Sequence, residues 1–157
     1  MKRWMLVLVA LVAVACSGGE SPRDWLAAAQ EAHREADLLR QAGDGAGAAR
    51  VLRERAEAPA PERTHTEDAR IVRQDLYYRL AEAELAQHRV VEAAAAATRG
   101  LDLGRRQDVF TANLLVVRGQ ALEMQGDRRG ASRDYHEAML VNEALLDALL
   151  PPQKATP

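Results

Sequence analysis

A stretch of twelve residues occurs twice in this chain, and each copy reads as a helix stop followed at once by a helix start. Gly43-Asp44-Gly45-Ala46-Gly47-Ala48-Ala49-Arg50-Val51-Leu52-Arg53-Glu54 returns as Gly126-Asp127-Arg128-Arg129-Gly130-Ala131-Ser132-Arg133-Asp134-Tyr135-His136-Glu137. Gly, Asp, Gly, Ala, Arg and Glu coincide at constant offset, and Leu52 matches Tyr135 as a large core residue. Glycine ends a helix in the left-handed conformation, and aspartate caps the first amides of the next. Alanine near the turn lets two backbones approach closely. Internal repetition of this kind marks stacked helical hairpins.

The rest of the chain agrees. No stretch alternates β-branched and polar residues for long enough to make a sheet, so the expected class is all-α with six helices. The first covers about 23–42, with Trp25, Ala28, Ala32, Ala36 and Leu39 on its core face. The second covers about 46–58 and stops at Pro59-Ala60-Pro61. Thr64-x-x-Glu67 has the form of a capping box opening the third, whose core face carries Val72, Leu76, Leu80 and Ala83. The fourth covers about 90–103 and ends at Gly104. Asp108 caps the fifth, in which Val109, Ala112, Leu115, Val116, Gly119 and Leu122 follow helical spacing. The sixth covers about 128–149, and residues 151–157 read as a helix stop and loose tail.

These features resemble the tetratricopeptide repeat (TPR), over about residues 29–147. The third hairpin matches best: Gly119 and Leu122 in its first helix, Gly126-Asp127 at the turn, and Ala131, Tyr135 and Ala138 in its second helix. The middle hairpin keeps Tyr77, Leu80, Ala81 and Ala93, but has His88-Arg89 in place of Gly-Asp and Gly100 in place of an alanine. The first keeps Ala36, Leu39, Gly43-Asp44 and Ala48, with Arg55 at an alanine position. Alanine-rich hairpins can also converge on such turns, and an antiparallel helical stack follows either way. The resemblance implies a right-handed stack of about three antiparallel hairpins over 25–150, whose first helices line a concave groove. That groove would show His33, Asp37 and Arg40, then Asp75, Tyr78, Glu82 and Leu85, then Asn113, Val116, Gln120 and Met124. Tyr78 is then either an interface anchor or a packing residue between hairpins.

The N-terminus carries a separate signal. Lys2-Arg3 precede an apolar run from Trp4 to Ala15, and Cys16-Ser17-Gly18-Gly19 follow. That is the layout of a secretory signal peptide over 1–15. The run is shorter than the ~20 residues a spanning helix needs, although an uncleaved anchor extended into the headgroups is the alternative. Cys16 is the only cysteine, so no internal disulfide can form. Ala13-Val14-Ala15-Cys16 resembles the lipobox of bacterial lipoproteins, with Ala13 where leucine is usual. The resemblance implies a lipidated Cys16, a flexible tether over 16–24, and, with Ser17 following, an outer-membrane location facing the periplasm.

Chemistry is scarce downstream. Four histidines, His33, His65, His88 and His136, form no His-Glu-x-x-His pattern. His65, Glu67 and Asp68 suit a helix start better than a metal site. The glycines at 43–47 lack the lysine and hydroxyl of a phosphate loop, and no serine sits in a nucleophile elbow. Neither catalysis nor a cofactor or metal is expected. Removal of Lys2 and Arg3 from the 21 basic residues leaves 19 against 23 acidic, a net −4 that gives no general attraction to nucleic acid. The remaining expectation is a membrane-anchored scaffold binding a protein or peptide in an envelope assembly. An accessory subunit of an envelope enzyme or transport system is the alternative.

Helix six raises a further possibility. Leu140, Val141, Leu145, Leu146, Leu149 and Leu150 exceed what one buried stripe needs. Either the helix folds back over the stack, or an end-patch of Leu145, Leu146 and Leu149 meets a partner or a second copy in a homo-oligomer.

Overall fold

Among the described residues, four of six helices begin where a short side chain takes up their first free amides. The computed structural model describes residues 20–150, and the expected signal peptide over 1–15, Cys16 and residues 151–157 lie outside that span. The elements are α1 (Pro22–Gln41), α2 (Gly45–Glu57), α3 (Thr66–Ala86), α4 (Val90–Asp102), α5 (Val109–Met124) and α6 (Arg128–Leu149). Ser21 caps α1 through the Asp24 amide at 3.2 Å, and Asp108 caps α5 through Thr111 at 2.8 Å. Asp44 and Asp127 cap α2 and α6 through the amides of Gly47 and Gly130, at 2.8 and 2.9 Å. A Cβ on either glycine would lie 2.2–2.3 Å from the capping carboxylate, which explains why the Asp-x-x-Gly spacing repeats.

The capping box expected at Thr64 does not form. His65 occupies the N-cap of α3 without a side-chain bond, and Thr64 Oγ1 is buried without a partner. Glu67 is instead taken by Arg70, whose Nε lies 3.0 Å and Nη2 2.5 Å from its carboxylate.

Three-residue turns make α1–α2, α3–α4 and α5–α6 antiparallel hairpins. Each helix packs on its neighbours in sequence; α3 also lies along α5, and only lightly along α1. This is an all-helical stack of hairpins, as the repeated turns imply. Small residues set the spacing. Ala29, Ala36, Ala48, Ala49, Ala56, Ala81, Ala96 and Ala97 share one core with Leu52, Leu76, Leu80, Leu101, Leu114 and Leu115. At Gly119 a Cβ would meet the Tyr135 ring at 2.6 Å, and at Gly100 a methyl of Leu114 at 2.7 Å, so both crossings depend on the missing side chain.

Two core-face expectations change. In α5 the buried positions are Thr111, Ala112, Leu114, Leu115, Val117, Gly119 and Ala121, whereas Val109 and Val116 are exposed. The helix is apolar on nearly all sides, so periodicity could not identify the buried stripe. In α1, Ala29 is buried where Ala28 is intermediate. Trp25 is 1% exposed, and Arg55 from α2 covers it, with its guanidinium 5.4 Å from the ring centroid and Nη2 bonded to the Trp25 carbonyl at 2.8 Å. That contact accounts for an arginine at the alanine position of the first hairpin.

Candidate functional site

Because α1 meets α3 only lightly, a cleft of about 420 Å³ opens between them. Its floor is small and apolar: Ala36 from α1, Ala48 and Leu52 from α2, Ala83 and Ala86 from α3. Its rim is charged, with His33, Asp37 and Arg40 on the α1 side and Arg79 and Glu82 on the α3 side. Four of the expected groove residues, His33, Asp37, Arg40 and Glu82, therefore line one cleft.

The rim is internally wired. His33 Nε2 lies 3.2 Å from Asp75 Oδ2 and spans the mouth between α1 and α3. Burial holds the His33 imidazole below its ordinary pKa, against the opposing pull of Asp75. Its Nδ1 is buried without a hydrogen-bond partner. Arg40 reaches Asp37 at 3.2 Å, and Arg79 stands 3.8 Å from Asp75. Tyr78 is half-buried against the core and donates its hydroxyl to Glu82 at 2.8 Å. Burial and that carboxylate push its pKa up to about 12, so Tyr78 acts as a neutral donor already in use. It does not line the cleft.

The α5 part of the expected groove is not joined to this cleft. Asn113 is half-buried, while Val116, Gln120 and Met124 are exposed along α5, and none lines the opening. α3 lies more closely along α5 than along α1, and the cleft lies at the first interface between hairpins.

At the far end, α6 packs on α5 and on no other described helix. The helix does not fold back. Of the expected end-patch, Leu146 and Leu149 are 58% and 81% exposed, and Leu145 is half-buried.

Sequence reading missed a set of buried polar side chains. Arg70, 6% exposed, bonds Glu67, Gln74 and the Asp108 cap of α5, the last at 2.6 Å. Gln74, fully buried, donates to the carbonyls of Gly100 and Gly104, both at 3.0 Å, and so ties α3 to the end of α4. The bond to Glu67 raises the Arg70 pKa further, so the guanidinium stays charged. At Asp108 burial pushes the carboxyl up, but the Thr111 amide and Arg70 outweigh it and hold it low. Asp134 of α6 takes Arg118 of α5 through two bonds, at 2.6 and 2.8 Å. The signal for two of these was present: Arg70, Gln74, Tyr77, Ala81 and Glu84 fall at helical spacing on one stripe of α3, with polar residues at core positions.

Each of these groups is matched to a structural partner, and none is aimed into the cleft. Among the described residues no three His, Cys, Asp or Glu side chains converge as metal ligands, and no helix is long and apolar enough to cross a membrane. The cleft combines a small, mostly alanine floor with a rim of both charge signs. No protein-family model matches the chain, and no curated protein matches it either.

Proposed function

We propose that this protein is a lipid-anchored scaffold of the bacterial envelope, tethered through Cys16 and holding a partner protein in the cleft between α1 and α3. The observation that carries the binding half is the cleft itself, whose alanine-lined floor leaves room for one large apolar side chain of a partner segment. Arg40 and Arg79 on one hand, and Asp37 and Glu82 on the other, would select the charges flanking that side chain. The anchoring half rests on the lipobox-like Ala13-Val14-Ala15-Cys16. More than one acyl chain at Cys16 would give stable attachment, each buried carbon contributing about 0.8 kcal/mol. The cell compartment facing the scaffold is then the periplasm, at the outer membrane.

The two halves are tested separately. Cys16→Ser should abolish incorporation of a labelled fatty acid and release the protein from membranes; labelling that persists refutes the anchor. Ala86→Trp fills the cleft from an exposed position without entering the core. It should remove the partner recovered by cross-linking the anchored wild-type protein while leaving helix content unchanged. Equal recovery would refute the cleft as the binding site.

A further inference from the structure

The outward face of α6 carries a seam that fits one occupant. Ser132, His136, Met139, Glu143, Leu146 and Leu150 are spaced alternately four and three residues apart, so they lie on one line along the helix. All six are solvent-exposed, and no described helix packs over them. The charges beside this line are sorted. Arg129, Arg133 and His136 occupy its first half, Glu143 and Asp147 its second, and the acidic Glu137 of the first half is taken by Arg105.

That order is unfavourable for an isolated helix. The first turn of α6 has no acidic residue and the last no basic one, the reverse of what the helix dipole favours. An antiparallel helix of the same sequence corrects it, because basic N-terminal halves then face acidic C-terminal halves. We propose that α6 pairs with α6 of a second copy of this chain, antiparallel, about a two-fold axis beside Leu140.

Placing Arg133 opposite the second copy's Asp147 sets the rest of the register. Leu140 then meets its own symmetry mate, His136 lies beside the other copy's Glu143, and Leu146 and Leu150 cover the aliphatic stems of the opposing arginines. Two-fold symmetry forms every contact twice except the Leu140 pair on the axis. A parallel pair would set Arg133 against Arg133 and Asp147 against Asp147. Head-to-tail stacking onto α1 fits no better: that helix exposes Leu26 and Leu38 with Gln30, Glu31, Arg34 and Glu35 between them. One helix per copy is a small contact, at the low end of the roughly 1,200–2,000 Å² of specific interfaces, so a dimer of micromolar affinity is expected.

The test uses the full chain with Cys16→Ser. Sedimentation should show a concentration-dependent monomer–dimer equilibrium. Arg133→Asp and Asp147→Arg should each weaken it about tenfold, since each sets like charges together twice. The double variant restores opposite charges and should return to within about threefold of the starting affinity. Leu140→Cys, which places the sole thiol on the axis, should form a disulfide-linked species of twice the chain mass under mild oxidation. A monomer at all concentrations would overturn the proposal, as would a double variant as weak as the singles or a Leu140→Cys adduct of any other mass. Circular dichroism of each variant guards against loss of fold, and the Leu140→Cys arm does not depend on the charge variants.

Discussion

The outer two hairpins and the middle one make the same three-residue turn by different means. At Gly43 and Gly126 the chain takes φ of +82° and +86°, which costs glycine nothing, and Asp44 or Asp127 then caps the next helix. In the middle hairpin His88 adopts φ +59° at the matching position, and Arg89 at the N-cap makes no capping bond. Its support comes from outside the turn. Glu84, fully buried at the end of α3, is ion-paired with Arg53 of α2 and with Arg89, whose Nε lies 2.5 Å away without hydrogen-bond alignment. Gln87 donates to the Gly45 carbonyl and to Ala83, both at 2.9 Å. The outer turns carry their own glycine and cap, and the third adds a Gln125 bond to Val90, whereas the middle turn has neither glycine nor cap and depends on Glu84 with Arg53 and Arg89. A central repeat has a neighbour to lean on, so it can give up its own turn signals.

Breaking that support should have the largest effect. Glu84→Ala removes the buried carboxylate that holds the part-exposed Arg53 and Arg89 and should cost about 2 kcal/mol in chemical denaturation. The cost depends on α2 being docked, so Arg53→Ala should weaken the effect of a second change at Glu84. Gly126→Ala forces a Cβ into the left-handed region and should cost about 1–2 kcal/mol by the same measurement. Asp127→Ala removes a cap and should cost about 1 kcal/mol. The mirror experiment is His88→Gly, which should raise the melting temperature through a gain of several tenths of a kcal/mol; a loss there would show that His88 contributes contacts of its own.

The smallest effect is a pH dependence at the α1–α3 mouth. The folded His33 pKa lies below its ordinary value, so the unfolded chain takes up the proton first. Stability from this group is complete above about pH 6.5 and declines as pH falls below it, with Asp75 offsetting part of the loss. His33→Gln should flatten the denaturation midpoint between pH 7 and 5 relative to wild type.

Much of the fold was legible because its signals are local. Helix limits follow from proline, glycine and aspartate, and α6 begins and ends where those residues place it. The register of the repeat also shows in Gln87 and Gln125, which donate to the carbonyls of Gly45 and Val90, each the first residue of the preceding hairpin's second helix. The site was less legible. His33, Asp37, Arg40 and Glu82 were placed in one groove by what the resemblance to a helical repeat implies, but nothing in their spacing says that α1 stands off from α3 while α5 does not. Gln74 and Glu84 sat on the core stripe of α3 in plain view, yet their bonds run to residues 26 and 31 positions away in sequence.

The chain's own residues thus determined the number of helices, their order and their antiparallel pairing, since turn chemistry and helical period act within a few residues. Tertiary structure alone decided which face of the largely apolar α5 is buried, which polar groups lie in the core, where a cleft opens and which side of α6 stays bare. Those outcomes depend on how closely whole helices approach one another, and side-chain volumes summed across several elements set that distance.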